Sequence, residues 1–188
     1  GGQHYTSARI NTQAKADFKY GKIEARLKLP YGQGIWPAFW TLGGNIDQVS
    51  WPACGEIDIM ELIGGTGYND RTAYGTPHWA LANGDHAQYG GSKTLASGKY
   101  NDAFHTFSIE WTSQYIKWFM DGVQFHVMSI TNADFTELKQ NHFIILNLAV
   151  GGDWPGYPDA TTVFPQKFEI DYVRVYQLLS KEVIQGKD

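Results

Sequence analysis

Three acidic residues, Glu56, Asp58 and Glu61, stand close together in a segment that is otherwise apolar. Alternate residues of a β-strand point to the same face, so Glu56 and Asp58 share one face. In a regular strand Glu61 would point into the core, where an unpaired carboxylate is costly. One extra residue near Met60, a β-bulge, returns Glu61 to the face of the other two acids. We therefore predict a bulge at this point of the strand.

The predicted bulge gives the carboxyl groups a spacing that suits cleavage of a glycosidic bond. Glu56 and Glu61 would stand roughly 13 Å apart along the backbone, and inward-leaning side chains would leave about 5–6 Å between their carboxyl groups. Retaining glycosidases use about 5–5.5 Å, whereas inverting enzymes need about 6.5–9.5 Å. Repulsion among three carboxylates raises a pKa and keeps one group protonated near neutral pH, as a general acid requires.

The alternative interpretation of this strand is a solvated surface whose polar residues face water. A solvated acidic strand usually mixes in basic neighbours, but residues 47–70 contain neither lysine nor arginine. In addition, Trp51-Pro52 leads directly into the acidic strand. These neighbours favour a catalytic cluster over a solvated face.

The remainder of the chain is a series of short strands that would hold the acidic segment in a sheet. Alternating or apolar runs predict strands at residues 5–12, 22–29, 35–42, 56–63, 104–111, 115–120, 123–128, 143–150 and 167–176. Asp121-Gly122 predicts a hairpin turn, because both central residues need a positive φ. Residues 132–140 predict a short helix, and the glycine-rich residues 64–98 predict a loop region. This pattern is typical of an all-β sandwich or jelly roll.

Length and composition restrict the classes of function. The chain has 188 residues, a net charge of −4 and 18% charged residues, which argues against nucleic acid as a partner. The sequence has no apolar run long enough to span a membrane, and its single cysteine, Cys54, excludes an internal disulfide framework. Aromatic residues make up 15% of the chain, which suits a groove for sugar rings. The alternative for each Trp is a place in the core.

Motifs along most of the chain occur in the same order in one enzyme family. They are residues 5–9, 21–26, 36–40, 55–61, 104–107, 145–152 and 171–176. Together they cover about residues 5–177 and resemble the laminarinase branch of glycoside hydrolase family 16. The resemblance implies a concanavalin-like jelly-roll β-sandwich with a concave cleft. It also implies retaining endo-hydrolysis of β-1,3-glucan without a catalytic cofactor.

The resemblance also implies roles for the acidic residues. Glu56 would be the nucleophile and Glu61 the acid/base, while Asp58 would hydrogen-bond within the triplet and tune its charge. Alternative substrates for the same chemistry are mixed-linkage glucan and agar-type galactan, although a sulfated polymer would favour basic residues near the cleft. A non-catalytic β-glucan-binding module is an alternative of a different class, and such a module would be expected to lose one or both glutamates.

Several further residues are candidates for binding the substrate. The set comprises Trp36, Trp40, Trp51, His78, Trp154 and Arg26. The tryptophans are candidate sugar platforms or end walls of the cleft. His78 matches a family histidine near the scissile bond, whereas a lone histidine is otherwise usually structural. Arg26 and Glu24 share a strand face, which predicts either cleft positions or a mutual ion pair.

The resemblance extends to a metal and to the limits of the domain. Asp171 matches a position where many members hold a structural calcium ion, and a solvent-exposed aspartate is the alternative. Residues 1–177 are predicted to form the hydrolase sandwich and residues 178–188 a C-terminal tail. Family members carry extra strands before the position of Tyr5, and we expect these strands to be absent here or supplied by another segment. From the substrate class we expect a secreted monomer with no membrane partner, although residues 1–4 show no signal-peptide pattern.

Overall fold

The computed structural model describes residues 4–65, 67 and 70–177. In chain order the elements are β1 (Arg9–Asn11), β2 (Asp17–Phe18), β3 (Gly21–Lys28), β4 (Ile35–Gly43), α1 (Ile46–Val49), β5 (Glu56–Leu62), β6 (Thr72–Ala80), β7 (His86–Gln88), β8 (Gly91–Thr94), β9 (His105–Trp111), β10 (Tyr115–Met120), β11 (Val123–Ser129), a 3₁₀ turn (Glu137–Lys139), β12 (His142–Val150) and β13 (Glu169–Tyr176). The predicted tail, residues 178–188, lies outside the described residues.

The strands form two antiparallel sheets. The larger sheet has the order β1-β12-β4-β5-β6-β7, with β2 also paired to β12 and β8 also paired to β6. The smaller sheet has the order β11-β10-β9-β3-β13. The acidic strand β5 therefore lies in the middle of the larger sheet, between β4 and β6.

The core lies between the two sheets and follows from alternation along the strands. On β3, Ile23, Ala25 and Leu27 are fully buried, while the residues between them face outward. From β5, Ile57 packs into the same cluster. Full burial of a large aliphatic side chain contributes about 1.5–3 kcal/mol. This arrangement confirms the predicted all-β sandwich.

All nine predicted strand segments coincide with strands, although β1 is shorter than predicted. The predicted hairpin turn is confirmed, because Asp121 and Gly122 have φ values of 48° and 76°. The predicted helix at 132–140 is wrong: the structure has a three-residue 3₁₀ turn there, preceded by a polar turn in which Asn132 donates to Asp134. The short helix α1 was not predicted. Within the described part of the chain, neither helical segment is long and apolar enough to cross a membrane.

The prediction of a loop region at 64–98 is wrong over much of its length, because this segment contains β6, β7 and β8. Its glycines were interpreted as loop residues, but two of them lie in strands. Gly75 faces the indole of Trp118, and Gly91 faces the ring of His126, at positions where an added Cβ would collide with the ring. These glycines are needed for close packing of strand against ring and do not interrupt the sheet.

Candidate active site

Strand β5 carries the three acidic residues and has the predicted bulge. Opposite β4, Met60 and Asp58 pair with consecutive residues, so Ile59 is the extra residue of β5. Opposite β6, the register likewise shifts between Asp58 and Glu61. The prediction of a bulge is therefore confirmed. Its consequence is that Glu56, Asp58 and Glu61 line the same cleft on the outer face of the larger sheet.

The bulge is supported from the opposite sheet. Trp118 of β10 reaches across the core, and its Nε1 donates to the backbone carbonyl of Asp58 at 2.7 Å. A bulge interrupts the ladder of a sheet locally, so this indole gives the Asp58 carbonyl a partner where the register shifts. Trp118 is fully buried, and Gly75 of β6 leaves the room that its ring needs. The smaller sheet thus helps to fix the strand that bears the carboxylates.

Each of the three carboxyl groups has an aromatic ring nitrogen as a hydrogen-bond partner. The pairs are Trp51 Nε1 with Glu56 Oε2 at 2.8 Å, Trp36 Nε1 with Glu61 Oε1 at 2.9 Å, and His78 Nε2 with Asp58 Oδ2 at 2.8 Å. Indole nitrogens only donate, so they favour the ionised form of the glutamate that they contact. Asp58 and Glu61 are buried, with 2% and 8% exposure, while Glu56 is partly buried.

Burial shifts the protonation of the whole cluster. Burial, followed by the charge of Asp58, raises the pKa of Glu56 to about 9. Burial also raises the pKa of Glu61 to about 7, and the hydrogen bond from Trp36 opposes that rise. For Asp58, burial and then the charge of Glu61 raise the pKa well above its usual value. The cluster therefore retains protons at neutral pH and titrates as a coupled unit.

Glu56 and Asp58 affect each other's protonation. One ligand atom from each of Glu56, Asp58 and His78 lies within 4.8 Å of the other two. Two carboxylates this close repel each other, so the pair favours a state in which one of the two carries a proton. When Asp58 carries the proton, Glu56 is ionised and keeps its hydrogen bond from Trp51. The pair can therefore present a carboxylate at Glu56 although the local pKa values are high.

The predicted tryptophans and the histidine surround the acidic residues. Trp36, Trp40, His78 and Trp154 line the cleft, and Trp51 borders it through its bond to Glu56. Trp51 and Trp154 are 46% and 41% exposed, so neither is a core residue. The ring of Trp154 packs on the edge of Trp36, with centroids 5.7 Å apart. Their role as sugar platforms stays a prediction.

Arg26 does not belong to the cleft. It lies on the outer face of β3 in the smaller sheet, across the core from the acidic strand. The alternative of a pair between Arg26 and Glu24 is also wrong, because Glu24 pairs with Lys22 at 2.5 Å and Arg26 pairs with Asp171 at 2.6 Å. The sequence pattern showed that Arg26 and Glu24 share a face, but it could not show which sheet β3 would join.

Asp171 is held by a cation of the protein. Its Oδ2 accepts a hydrogen bond from the guanidinium of Arg26, and the side chain is half exposed. In the described part of the chain, three potential metal ligands lie close together at Glu56, Asp58 and His78. Asp171 does not belong to that group. Asp171 is thus paired with Arg26 and half exposed, and its role as a calcium ligand stays a prediction.

Three residues near the acidic cluster were not predicted. Asn147 and Arg9 line the cleft opposite the acids; Trp40 donates to Asn147 Oδ1 at 2.6 Å, and the Arg9 guanidinium lies 4.8 Å from the centre of a Trp40 ring. His86 contacts His78. A polar residue inside the apolar run 143–150 was a usable signal for Asn147, whereas Arg9 and His86 reach the site only through strand pairing.

The sequence and the fold were compared with protein families and solved structures. The family model described as "Glycosyl hydrolases family 16" matches residues 2–174. The laminarinase catalytic domain from Thermotoga maritima MSB8 superimposes with a TM-score of 0.82 and 46% identity, covering 91% of this chain and 69% of that one. This similarity confirms the predicted jelly-roll sandwich.

Two relatives are similar in sequence to nearly the whole chain. The clotting factor G alpha subunit of Tachypleus tridentatus is 40% identical over 94% of this chain, and the beta-glucanase of Rhodothermus marinus is 38% identical over the same share. The chain spans 25% of the length of the first relative and 64% of the second.

Proposed function

The chain belongs to glycosyl hydrolases family 16, and from that premise we propose that it is a retaining endo-β-1,3-glucanase acting on laminarin-type glucan. The observation that carries the proposal is the bulge in β5, which brings Glu56, Asp58 and Glu61 to one face inside an aromatic cleft. The similarity to a laminarinase catalytic domain supports the choice of substrate.

We propose a double displacement with one role for each glutamate. Glu56 attacks the anomeric carbon as a carboxylate, while Glu61 donates its proton to the glycosidic oxygen, so the bond to the leaving sugar breaks as the glycosyl-enzyme forms. Glu61 then removes a proton from water, which attacks the same carbon and releases Glu56. The raised pKa of Glu61, about 7, suits a group that must act first as an acid and then as a base.

Asp58 would control where the cluster holds its remaining proton. Because Asp58 lies close to Glu56 and its pKa is raised well above the usual value, that proton can lie on Asp58 while Glu56 is the attacking carboxylate. His78 Nε2 lies 2.8 Å from Asp58 Oδ2. The protonation of Asp58 therefore links the nucleophile to the histidine without adding a second negative charge to the cleft.

The lining of the cleft favours a neutral sugar polymer. Its side chains are the three acids with Trp36, Trp40, Trp154, His78 and uncharged polar groups, and Arg9 is the cation among the residues that line it in the described part of the chain. A sulfated galactan would meet a mainly acidic and aromatic surface, which would repel its sulfate groups. An enzyme encounters a polysaccharide such as laminarin outside the cell, so we also propose that the protein is secreted.

A non-catalytic β-glucan-binding module remains the second candidate, because family membership does not by itself specify catalysis. One relative is named as a clotting factor subunit, a name that states no hydrolase activity. The assembled carboxylates favour the enzyme, since a binding module has no need for three clustered acidic groups whose raised pKa values reduce stability.

The test compares laminarin hydrolysis by the chain, by Glu56→Ser and by Glu110→Gln, a control at an exposed glutamate of the smaller sheet. We expect the Ser variant to lose about 10³-fold or more of kcat and the control to keep wild-type activity. Proton NMR of the first products should show the β-anomer. An α-anomer as first product, or an active Ser variant, would contradict the mechanism, and a folded chain that binds laminarin without cleaving it would be a binding module.

A further inference from the structure

A second histidine stands behind His78. Strand β7 pairs with β6 so that His86 lies opposite Ala80, one diagonal step from His78 on the same face. His78 Nδ1 and His86 Nε2 are 2.7 Å apart, a hydrogen-bond distance. The two ring planes are inclined by only 19° and the ring centroids are 5.0 Å apart, as an in-plane hydrogen bond between the rings requires. His86 itself is exposed at the rim of the cleft, outside the acidic cluster.

The three side chains form a hydrogen-bonded series with a defined direction. Asp58 Oδ2 accepts from His78 Nε2–H when Asp58 is ionised, and also when its proton lies on the other oxygen, Oδ1. A neutral imidazole that donates from Nε2 has an acceptor at Nδ1, and His86 must therefore donate to it through its own Nε2–H. The direction of the whole series is thus set at its exposed end, by His86.

Trp51 gives His86 a second connection to the same pair of carboxyl groups. The indole of Trp51 packs on the ring of His86, with centroids 4.6 Å apart, and its Nε1 donates to Glu56. His86 therefore contacts the partners of two neighbouring carboxyl groups, His78 for Asp58 and Trp51 for Glu56. A residue that supported only the loop between β6 and β7 would not need both of these contacts.

We propose that His86 is a positioning residue that acts through His78: its Nε2–H holds His78 in the Nε2–H tautomer and thereby keeps a donor directed at Asp58. The catalytic consequence rests on the proposed function, whereas the tautomer of His78 does not. Without this donor, His78 can move its proton to Nδ1 or turn its ring, and Asp58 then loses the partner that fixes its orientation beside Glu56.

The electrostatic surroundings agree with neutral rings. Burial lowers the pKa of His78, although the charges of Glu56 and Glu61 oppose this shift. Burial and then the charge of His78 lower the pKa of His86. Both imidazoles are thus neutral at neutral pH, the condition under which a single proton position on each ring decides which nitrogen donates.

Two variants separate the hydrogen bond from the packing. His86→Gln places an amide N–H near the position of Nε2 and keeps the donor, whereas His86→Phe keeps a ring for Trp51 and loses the donor. Two-bond ¹H–¹⁵N NMR of the folded chain reports the tautomer of His78 directly. We expect the Nε2–H form in the wild type and in the Gln variant, and a mixture or the Nδ1–H form in the Phe variant.

Kinetics on laminarin then test the consequence for the reaction. We expect the Phe variant to lose about tenfold or more of kcat with KM within twofold, and the Gln variant to stay within about threefold of the wild type. Equal activity of the two variants, or a loss confined to KM, would overturn the positioning role. If the wild type proves inactive, the NMR result still decides the tautomer: an unchanged Nε2–H form in the folded Phe variant refutes the inference.

Discussion

The hydrogen bond from Trp36 to Glu61 provides a direct test of the assignment of the general acid. Trp36 Nε1 donates to Glu61 Oε1 at 2.9 Å, and this bond lowers the pKa of a carboxyl group that burial has raised to about 7. Trp36→Phe removes the donor and keeps an aromatic ring in the cleft. Since the donor stabilises the ionised form, its loss must raise the pKa of Glu61 further.

The size of the change follows from the strength of such a bond. A hydrogen bond to a charged group contributes about 1.5–3 kcal/mol, and a change of one in pKa corresponds to about 1.4 kcal/mol. Because Glu61 is only 8% exposed, solvent screening reduces this effect little. The pKa should therefore rise by about 1 to 2, with the lower value if a water molecule replaces the indole nitrogen.

The assay is the pH dependence of kcat/KM on laminarin. A general acid must be protonated, so the rate falls as the pH rises through its pKa, and this basic limb should move from near pH 7 to about pH 8–9 in Trp36→Phe. Trp40→Phe is the matched control: the same indole is replaced by the same ring, but the Nε1 of Trp40 donates to Asn147 and not to a carboxylate.

The midpoint of the basic limb tests the role of Glu61 even if the Phe ring binds sugar less well. Weaker binding lowers kcat/KM at every pH and leaves that midpoint in place. A basic limb that stays unchanged or moves to lower pH would refute the role of Glu61 as general acid. An equal shift in Trp40→Phe would show that the change acts through the shape of the cleft and not through the hydrogen bond.

Three further predictions concern stability and reactivity. Between pH 4.5 and about 9 the native state keeps a proton on the Glu56–Asp58 pair that the unfolded chain releases, so wild-type stability falls as pH rises. Glu56→Gln should therefore be about 1–3 kcal/mol more stable in urea at pH 8 and no different at pH 4, and equal stability at both would contradict this. Trp118→Phe leaves the Asp58 carbonyl without its indole donor and should lose about 2–4 kcal/mol in guanidinium unfolding together with kcat, whereas an unchanged kcat would separate the bulge from catalysis. Cys54 is fully buried and burial raises its pKa to about 11, so the folded chain should not react with a disulfide reagent at pH 8, while the chain in urea should react fully.

The bulge could be predicted because its cause is local. Alternation along β5 fixes the faces of Glu56 and Asp58, and the cost of burying Glu61 is a property of one side chain, so no knowledge of the partner strands was required. The structure adds the identity of the extra residue, Ile59, which depends on the register with β4. Sequence could predict that the strand must be irregular there, but not which residue would be left without a partner.

The sequence predictions fail for residues whose position depends on an element far away in the chain. Gly75 marks a place where a strand passes close to Trp118, but in the sequence it has the same appearance as a loop glycine. Arg26 was assigned to the cleft from its face on one strand, and the pairing of β3 with β9 and β13 put it on the other sheet. His86 entered the site through the pairing of β7 with β6, which no short-range pattern indicates.

The acidic cluster reduces the stability of the fold, and hydrogen bonds from neighbouring residues partly offset this loss. Three carboxyl groups with raised pKa values oppose folding as the pH rises, yet each has one ring nitrogen that stabilises its orientation. The backbone beneath them depends on Trp118, which belongs to the opposite sheet. A substitution in the smaller sheet can therefore change the chemistry without touching the cleft, whereas a substitution that removes one acid should relieve repulsion and stabilise the fold. Variants that remove one of the three acids should accordingly lose activity and gain stability. Variants of residues that hold the acidic strand, such as Trp118, should lose both.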